Sequence, residues 1–261
     1  MAGFEIKSNI ADSLGFMGTL FYNQIPYATA RALTKTAQLA QQAIRAEMEA
    51  RFDRPTPYTL NSTYVKSATK TDLVARVWIK DDTSKGTPAS KYIGPEVYGG
   101  ERSMKRFERA LQARGLLPPG MVAVPGKAAT LDQYGNVSRG LIVEVLSYLQ
   151  AFGEQGYRAN MSERRRDRMV RGGKGARGYS YFVLLKREGK LLPGIYKRIA
   201  YGRDSRIEHL AYSAAKPVFI FVKQPTYKPR LPFDDVARRV AEAQFEGVFR
   251  RAFEEAVETA R

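Results

Sequence analysis

The chain has 261 residues, enough to bury a sizeable core in one large domain or two small ones. Hydrophobic residues make up 44% and charged residues 26%, as in an ordinary globular protein, but 43 Lys and Arg against 26 Asp and Glu leave a net charge of +17. There is no Cys, which excludes disulfides and thiolate metal sites, and the single His, His209, weighs against zinc clusters and Ser-His-Asp catalysis.

The charge is localised. Residues 1–60 contribute +1, 61–156 contribute +4, 157–231 contribute +14 and 232–261 contribute −2. A surplus of this kind raises the local concentration of anions and favours phosphate contacts, without saying anything about fold.

Residues 1–25 are read as an N-terminal arm. The longest uncharged run, 13–30, is too polar for a membrane span, which needs about 20 predominantly apolar residues. Glu5 and Asp12 take the place of a signal peptide's basic start, so synthesis in the cytoplasm and no membrane partner are expected. From about residue 26 to 52, Leu33, Ala37, Ala40, Ile44 and Met48 recur at helical steps, with Pro26 in the first turn and Pro55 blocking continuation. Residues 63–65 and 73–79 alternate and carry Val, Tyr, Trp and Thr, which predicts an antiparallel strand pair with Trp78 in the core.

Residues 81–100 read as loop from their Gly, Pro, Ser and Thr content. A short charged helix follows over 101–113, with Arg102, Lys105, Arg106, Arg109 and Arg114 on its polar side. Residues 115–137 read as a long ordered loop, of the kind that packs on partners. Ser138 can cap a helix over 139–152 whose Leu141, Ile142 and Val145 belong to a nearly all-round apolar surface, expected to be central or shared with another subunit. Residues 157–178 form a basic, Gly-rich loop, and 179–185, 194–199 and 217–222 read as strands.

The last helix, 233–259, has two apolar faces. Val236, Val240 and Ala243 lie on one side, while Val248, Phe249, Ala252 and Phe253 lie mostly opposite. Either it bends near Gly247 or its halves meet different neighbours, one of them possible in a second subunit. Val248, Phe249, Phe253, Leu141, Ile142 and Val145 are therefore the candidate subunit-interface residues. The expected fold is α+β: an arm, then a single domain over 26–261 with a mixed or antiparallel sheet of five or more short strands, three to four helices and a long C-terminal helix.

Chemistry is sparse. The run GMVAVPGK at 120–127 has five residues between its glycines and Ala128 where a phosphate-binding loop needs Ser or Thr, so it is rejected as a nucleotide site. The carboxylate pairs Asp81–Asp82, Asp234–Asp235 and Glu254–Glu255 are adjacent in sequence and point apart. No catalytic residue, cofactor or metal site is expected. The one constellation that suggests a ligand is Arg158, Arg164, Arg165, Arg166, Arg168, Arg171, Lys174 and Arg177, beside Tyr157, Tyr179 and Tyr181. Guanidinium forks suit phosphate oxygens and glycines permit close approach, so sequence-independent contact with the DNA backbone is one reading. A mobile basic loop that meets acidic protein surfaces or simply stays hydrated is the other.

Four strings carry a resemblance: RFDRPTPYTLNSTYVKSATK at 51–70, YGGERSMKRFERALQARGLLPPGMVAVPGKAATLDQYGNVSRGLIVEV at 98–145, LPGIYKR at 192–198 and KPVFIFVKQPTYKPRLPFDDVA at 216–237. They resemble the minor tail protein Z-like family of phage and prophage virion proteins, of the tail-completion or head-tail-joining kind. The resemblance implies a non-enzymatic, ring-forming subunit of the neck or upper tail around the DNA path. Its partners would be further copies of itself and neighbouring virion proteins, and its location the virion. The alternative is a soluble, sequence-independent DNA-binding protein of phage packaging or replication. An enzyme working through carboxylates and a divalent ion would need convergent acids that the sequence does not offer.

Overall fold

The computed structural model describes residues 18, 20–83, 86–153, 159–173, 176–199 and 215–259. In chain order the helices are α1 (Ile25–Arg51), α2 (Pro57–Leu60), α3 (Ser90–Tyr98), α4 (Arg106–Ala113), α5 (Arg139–Tyr148), α6 (Glu163–Arg171) and α7 (Phe233–Glu258). The strands of four or more residues are β1 (Thr63–Lys66), β2 (Arg76–Ile79), β3 (Met121–Pro125), β4 (Tyr179–Leu184), β5 (Gly194–Ile199) and β6 (Ala215–Lys223), with two-residue strands at Gly100–Glu101, Gly172–Gly173, Ala176–Arg177 and Thr226–Tyr227. The architecture is α+β with antiparallel strand pairing, as expected from the sequence. Two compact units share it: Glu101–Tyr227 forms one, and the flanking segments up to Gly100 and from Lys228 form the other.

In the flanking unit, α1 and α7 pack side by side and antiparallel. Ala28, Ala32, Thr36, Ala40, Ile44 and Met48 recur every fourth residue of α1 and are all buried. The start of α7 brings Phe233 and Val236 against Ile44, Met48 and Ile93. Its end brings Val248, Ala252 and Ala256 against Ala28 and Ala32, where side chains of one methyl let the backbones approach. The two apolar faces of α7 thus meet opposite ends of α1, and the second neighbour of this helix lies in its own chain. Each large side chain buried here contributes roughly 1.5–3 kcal/mol. Across β1 and β2, Tyr64 meets Trp78 edge-on at 4.8 Å between ring centroids. Trp78 is half-buried rather than central, and β2 begins at Arg76, three residues later than its sequence pattern suggests.

The other unit is a four-stranded sheet in the order β3-β6-β5-β4, covered on one face by α4 and α5. Its core contains Phe107, Leu111, Val145, Leu146, Ile195, Phe219 and Phe221. Glu108, fully buried at the base of this core, accepts both Nη atoms of Arg102 at 2.6 and 2.9 Å and the N–H groups of Lys105 and Ala123. It thereby caps α4 and ties it to β3.

Three segments read as loop are ordered differently. Within 81–100, α3 forms despite Pro95 because it buries Ile93, 1% exposed, against α1. Within 115–137, β3 occupies the sheet edge, where Pro125 needs no N–H, and Asp132 folds a small hairpin by accepting from Tyr134 and Asn136. Within 157–178, the arginine-rich run forms α6. Seven α-helices are therefore present among the described residues, where three to four were expected. Of the arm expected over 1–25, the described part includes Leu20–Gln24, a π-helical turn running into α1.

Candidate nucleic-acid interface

The arginines of 163–171 are placed by the end of α5. Ser147 Oγ donates to the Ala159 carbonyl at 2.6 Å, and Gln150 Nε2 donates to the Met161 carbonyl at 2.7 Å. Asn160 closes the same junction through paired bonds with the backbone of Phe152. Ser162 then begins α6, whose Met169 packs on the main core while most of the helix faces outward.

On α6, steps of four and three residues put Arg164, Arg168 and Arg171 on one face. Arg165 projects about a quarter turn away, and Arg166 lies half-buried on the side of Met169. None of these five has an ion-pair partner among the described residues. Glu163 in the first turn and Arg168 and Arg171 in the last complement the helix dipole, so the charge pattern also favours the helix itself. Arg164 to Arg171 spans about 10 Å along the axis. One strand of duplex DNA presents about three phosphates over that length.

The glycines that follow serve the fold. Gly172 ends α6 at φ +73°, a conformation that glycine adopts freely. A Cβ on Gly178 would lie 1.8 Å from the Val170 carbonyl oxygen, so the chain can enter β4 only with glycine there. Between them a short ladder pairs Gly172 with Arg177. Arg177 stands at the foot of β4, while Arg158, Lys174, Tyr157 and His209 lie outside the described residues.

Of the tyrosines beside the basic run, Tyr179 and Tyr181 are not stacking platforms. Tyr181 is 5% exposed, and Tyr179 and Tyr181 donate their hydroxyls to the same Glu144 oxygen at 2.8 and 2.7 Å. Burial, with the adjacent Glu144 carboxylate, pushes Tyr179 up to about 12 and Tyr181 higher still. Lys197 Nζ sits 3.6 Å over the Tyr179 ring. This half-buried group fixes α5 to β4, a role invisible in a sequence where Glu144 is one carboxylate in an apolar helix.

The residues expected at a subunit interface divide. Val145 and Val248 are 1% and 6% exposed within the chain's own cores. Leu141 and Ile142 pack against the sheet core, and Phe249 and Phe253 against the α1–α7 contact, each half-buried. Arg102, read as part of a solvated face, has its guanidinium committed to Glu108.

Among the described residues, no group of three His, Cys, Asp or Glu side chains converges as a metal site, and no helix is long and apolar enough to cross a membrane. An open cavity of about 430 Å³ is lined by Arg51, Tyr98, Asp234 and Asp235 among others. Asp235 there is paired with Arg238 at 3.3 Å. GMVAVPGK forms β3 and its continuation, with Gly126 pressed against the Pro217 carbonyl, so no phosphate-cradling loop exists there. The chain matches no family model, no curated protein and no solved structure.

Proposed function

We propose that this chain is a structural protein of a tailed-phage virion, a ring-forming subunit of the neck or upper tail that presents α6 to the DNA path. The sequence strings at 51–70, 98–145, 192–198 and 216–237 supply the virion setting. The observation that carries the DNA contact is the outward face of Arg164, Arg168 and Arg171, held on an ordered helix and without acidic partners among the described residues. Guanidinium groups on a rigid helix meet phosphates without the ordering entropy a mobile loop would lose. Nothing in the arrangement reads bases, so the contact is with the backbone and independent of sequence.

The soluble DNA-binding alternative shares that helix and differs in where the chain resides. Mass spectrometry of purified phage particles separates them. The proposal expects a fixed copy number per particle that survives gradient purification and nuclease treatment. A chain found only in the lysate, absent from particles, would overturn it.

A further inference from the structure

The two edges of the four-stranded sheet are treated differently. On β3, the Ala123 N–H is taken by the Glu108 carboxylate and Pro125 has no N–H to offer, so that edge is blocked. On β4, no backbone hydrogen bond reaches the outer side among the described residues. Its sequence, YSYFVL, has neither a charge nor a proline, and its pairing with β5 has no bulge. Those are the devices that normally guard an exposed edge, and β4 has none of them.

A second segment has the opposite deficiency. The alternating run 73–79 pairs only over Arg76–Ile79, leaving Leu73, Val74 and Ala75 without backbone partners among the described residues. Leu73 and Val74 are 42% and 43% exposed. The two-stranded β1–β2 ladder also keeps an outer side on β2 that no strand pairs with among the described residues.

The charges that bracket the two segments are complementary. Asp72 precedes the run and Asp81 and Asp82 follow it, all exposed. Arg177 precedes β4 and Lys186 and Arg187 follow it. An antiparallel alignment that sets Asp72 opposite Lys186 also sets Asp81 opposite Arg177. The same register puts Leu73 opposite Leu185, itself 47% exposed, so two solvent-facing leucines cover each other.

We infer that the β4 edge accepts the 73–79 strand of a second copy of this chain, in antiparallel register, as a head-to-tail joint between subunits. Donor and acceptor are different surfaces, so each copy keeps one of each free for the next, and the joint propagates until a ring closes. This rests on the ring-forming reading above for its setting, but it is a property of the purified chain and is tested without particles.

The absence of Cys makes the register directly testable. Full-length chain carrying Leu73→Cys is mixed with chain carrying Leu185→Cys under mild oxidation. A disulfide-linked heterodimer is expected from the mixture, and little product from either variant alone. Light scattering on the wild type should show concentration-dependent association. Leu73→Lys, an exposed change that leaves the fold intact, should weaken it at least tenfold, and Lys186→Glu with Arg187→Glu should do the same. Adding Asp81→Lys and Asp82→Lys to the latter should not restore it, because in this register Asp81 faces Arg177 and Asp82 faces Ala176; adding Asp72→Lys should. A wild type that stays monomeric at the highest attainable concentration, a mixture that gives no heterodimer, or Leu185→Cys linking equally well to itself would each overturn the joint. A chain that forms the heterodimer yet is missing from particles would leave the joint standing and remove only its virion setting.

Discussion

Arg102 and Glu108 form a two-pronged ion pair inside the protein, with nitrogen–oxygen distances of 2.6 and 2.9 Å and no solvent access to the carboxylate. Two backbone N–H groups complete the carboxylate's coordination, from Lys105 at the start of α4 and Ala123 in β3. A single side chain thus holds the helix, the sheet edge and the incoming chain in one geometry. Glu108→Ala leaves a buried guanidinium and two N–H groups unanswered, and should cost about 3–5 kcal/mol. Urea denaturation measures it; a loss under 1 kcal/mol would mean that water takes over the site.

The same carboxylate predicts how stability depends on acid. Burial pushes Glu108 upward, but the Arg102 guanidinium and the N–H groups of Lys105 and Ala123 outweigh it and hold the group below the usual carboxylate range. Its contribution is fully present above the unfolded value of about 4.3 and is lost as pH falls through the lower folded value. Stability of the wild type should therefore drop steeply below about pH 4, and Glu108→Gln should flatten that drop.

Tyr179 and Tyr181 predict the alkaline side. Their folded values lie above the ordinary tyrosine value, so their contribution is complete below about pH 10 and is lost as pH rises beyond it. An ultraviolet titration should show two tyrosines ionising only after the rest. Tyr181→Phe should leave one late tyrosine and cost about 1.5–3 kcal/mol, the range for a hydrogen bond to a charged group.

Much of the frame was legible in the sequence, and the misses have physical causes. The strands at 179–184, 194–199 and 215–223 and the helices α1, α5 and α7 follow from periodicity and capping, because their apolar faces are long enough to register. α3 was hidden by Gly94 and Pro95, whose local preference is overridden by burial of Ile93. α6 was hidden by composition: five arginines and two flanking glycines read as loop, although steps of four and three were already present in Arg164, Arg168 and Arg171. The signal that distinguishes it is the apolar pair Met169 and Val170 on the side away from that face, of which Met169 packs on the core. Glu108 was missed because a buried carboxylate needs partners from several elements, and Ala123 lies fifteen residues away in β3.

Gly178 gives a sharper test of that reading of 157–178. Its Cβ would collide with the Val170 carbonyl, so Gly178→Ala should be markedly destabilising, by about 2 kcal/mol or more. Gly140, in the first turn of α5, has open space around it, and Gly140→Ala should be neutral or stabilising by about 0.5–1 kcal/mol. Equal tolerance of both would mean that the basic segment is not ordered by this contact.

The arginine face makes a quantitative prediction about salt. Three phosphate contacts correspond to a slope of about −2.7 in log affinity against log salt on duplex DNA. Arg164→Ala, Arg168→Ala and Arg171→Ala together should therefore reduce the observed slope by about that amount while leaving thermal stability unchanged. The same treatment of Arg238 and Arg239 on α7 should leave the slope as it was.

The most direct test of a virion subunit lying against DNA is photo-crosslinking in assembled particles. A photoreactive residue replaces Arg165, which is exposed beside the arginine face, and the particles are irradiated before disassembly. The account predicts a covalent adduct between this chain and packaged DNA, lost when the same residue is placed at the exposed Glu246 on α7. Adducts only to neighbouring proteins, from particles that contain the chain, would contradict it.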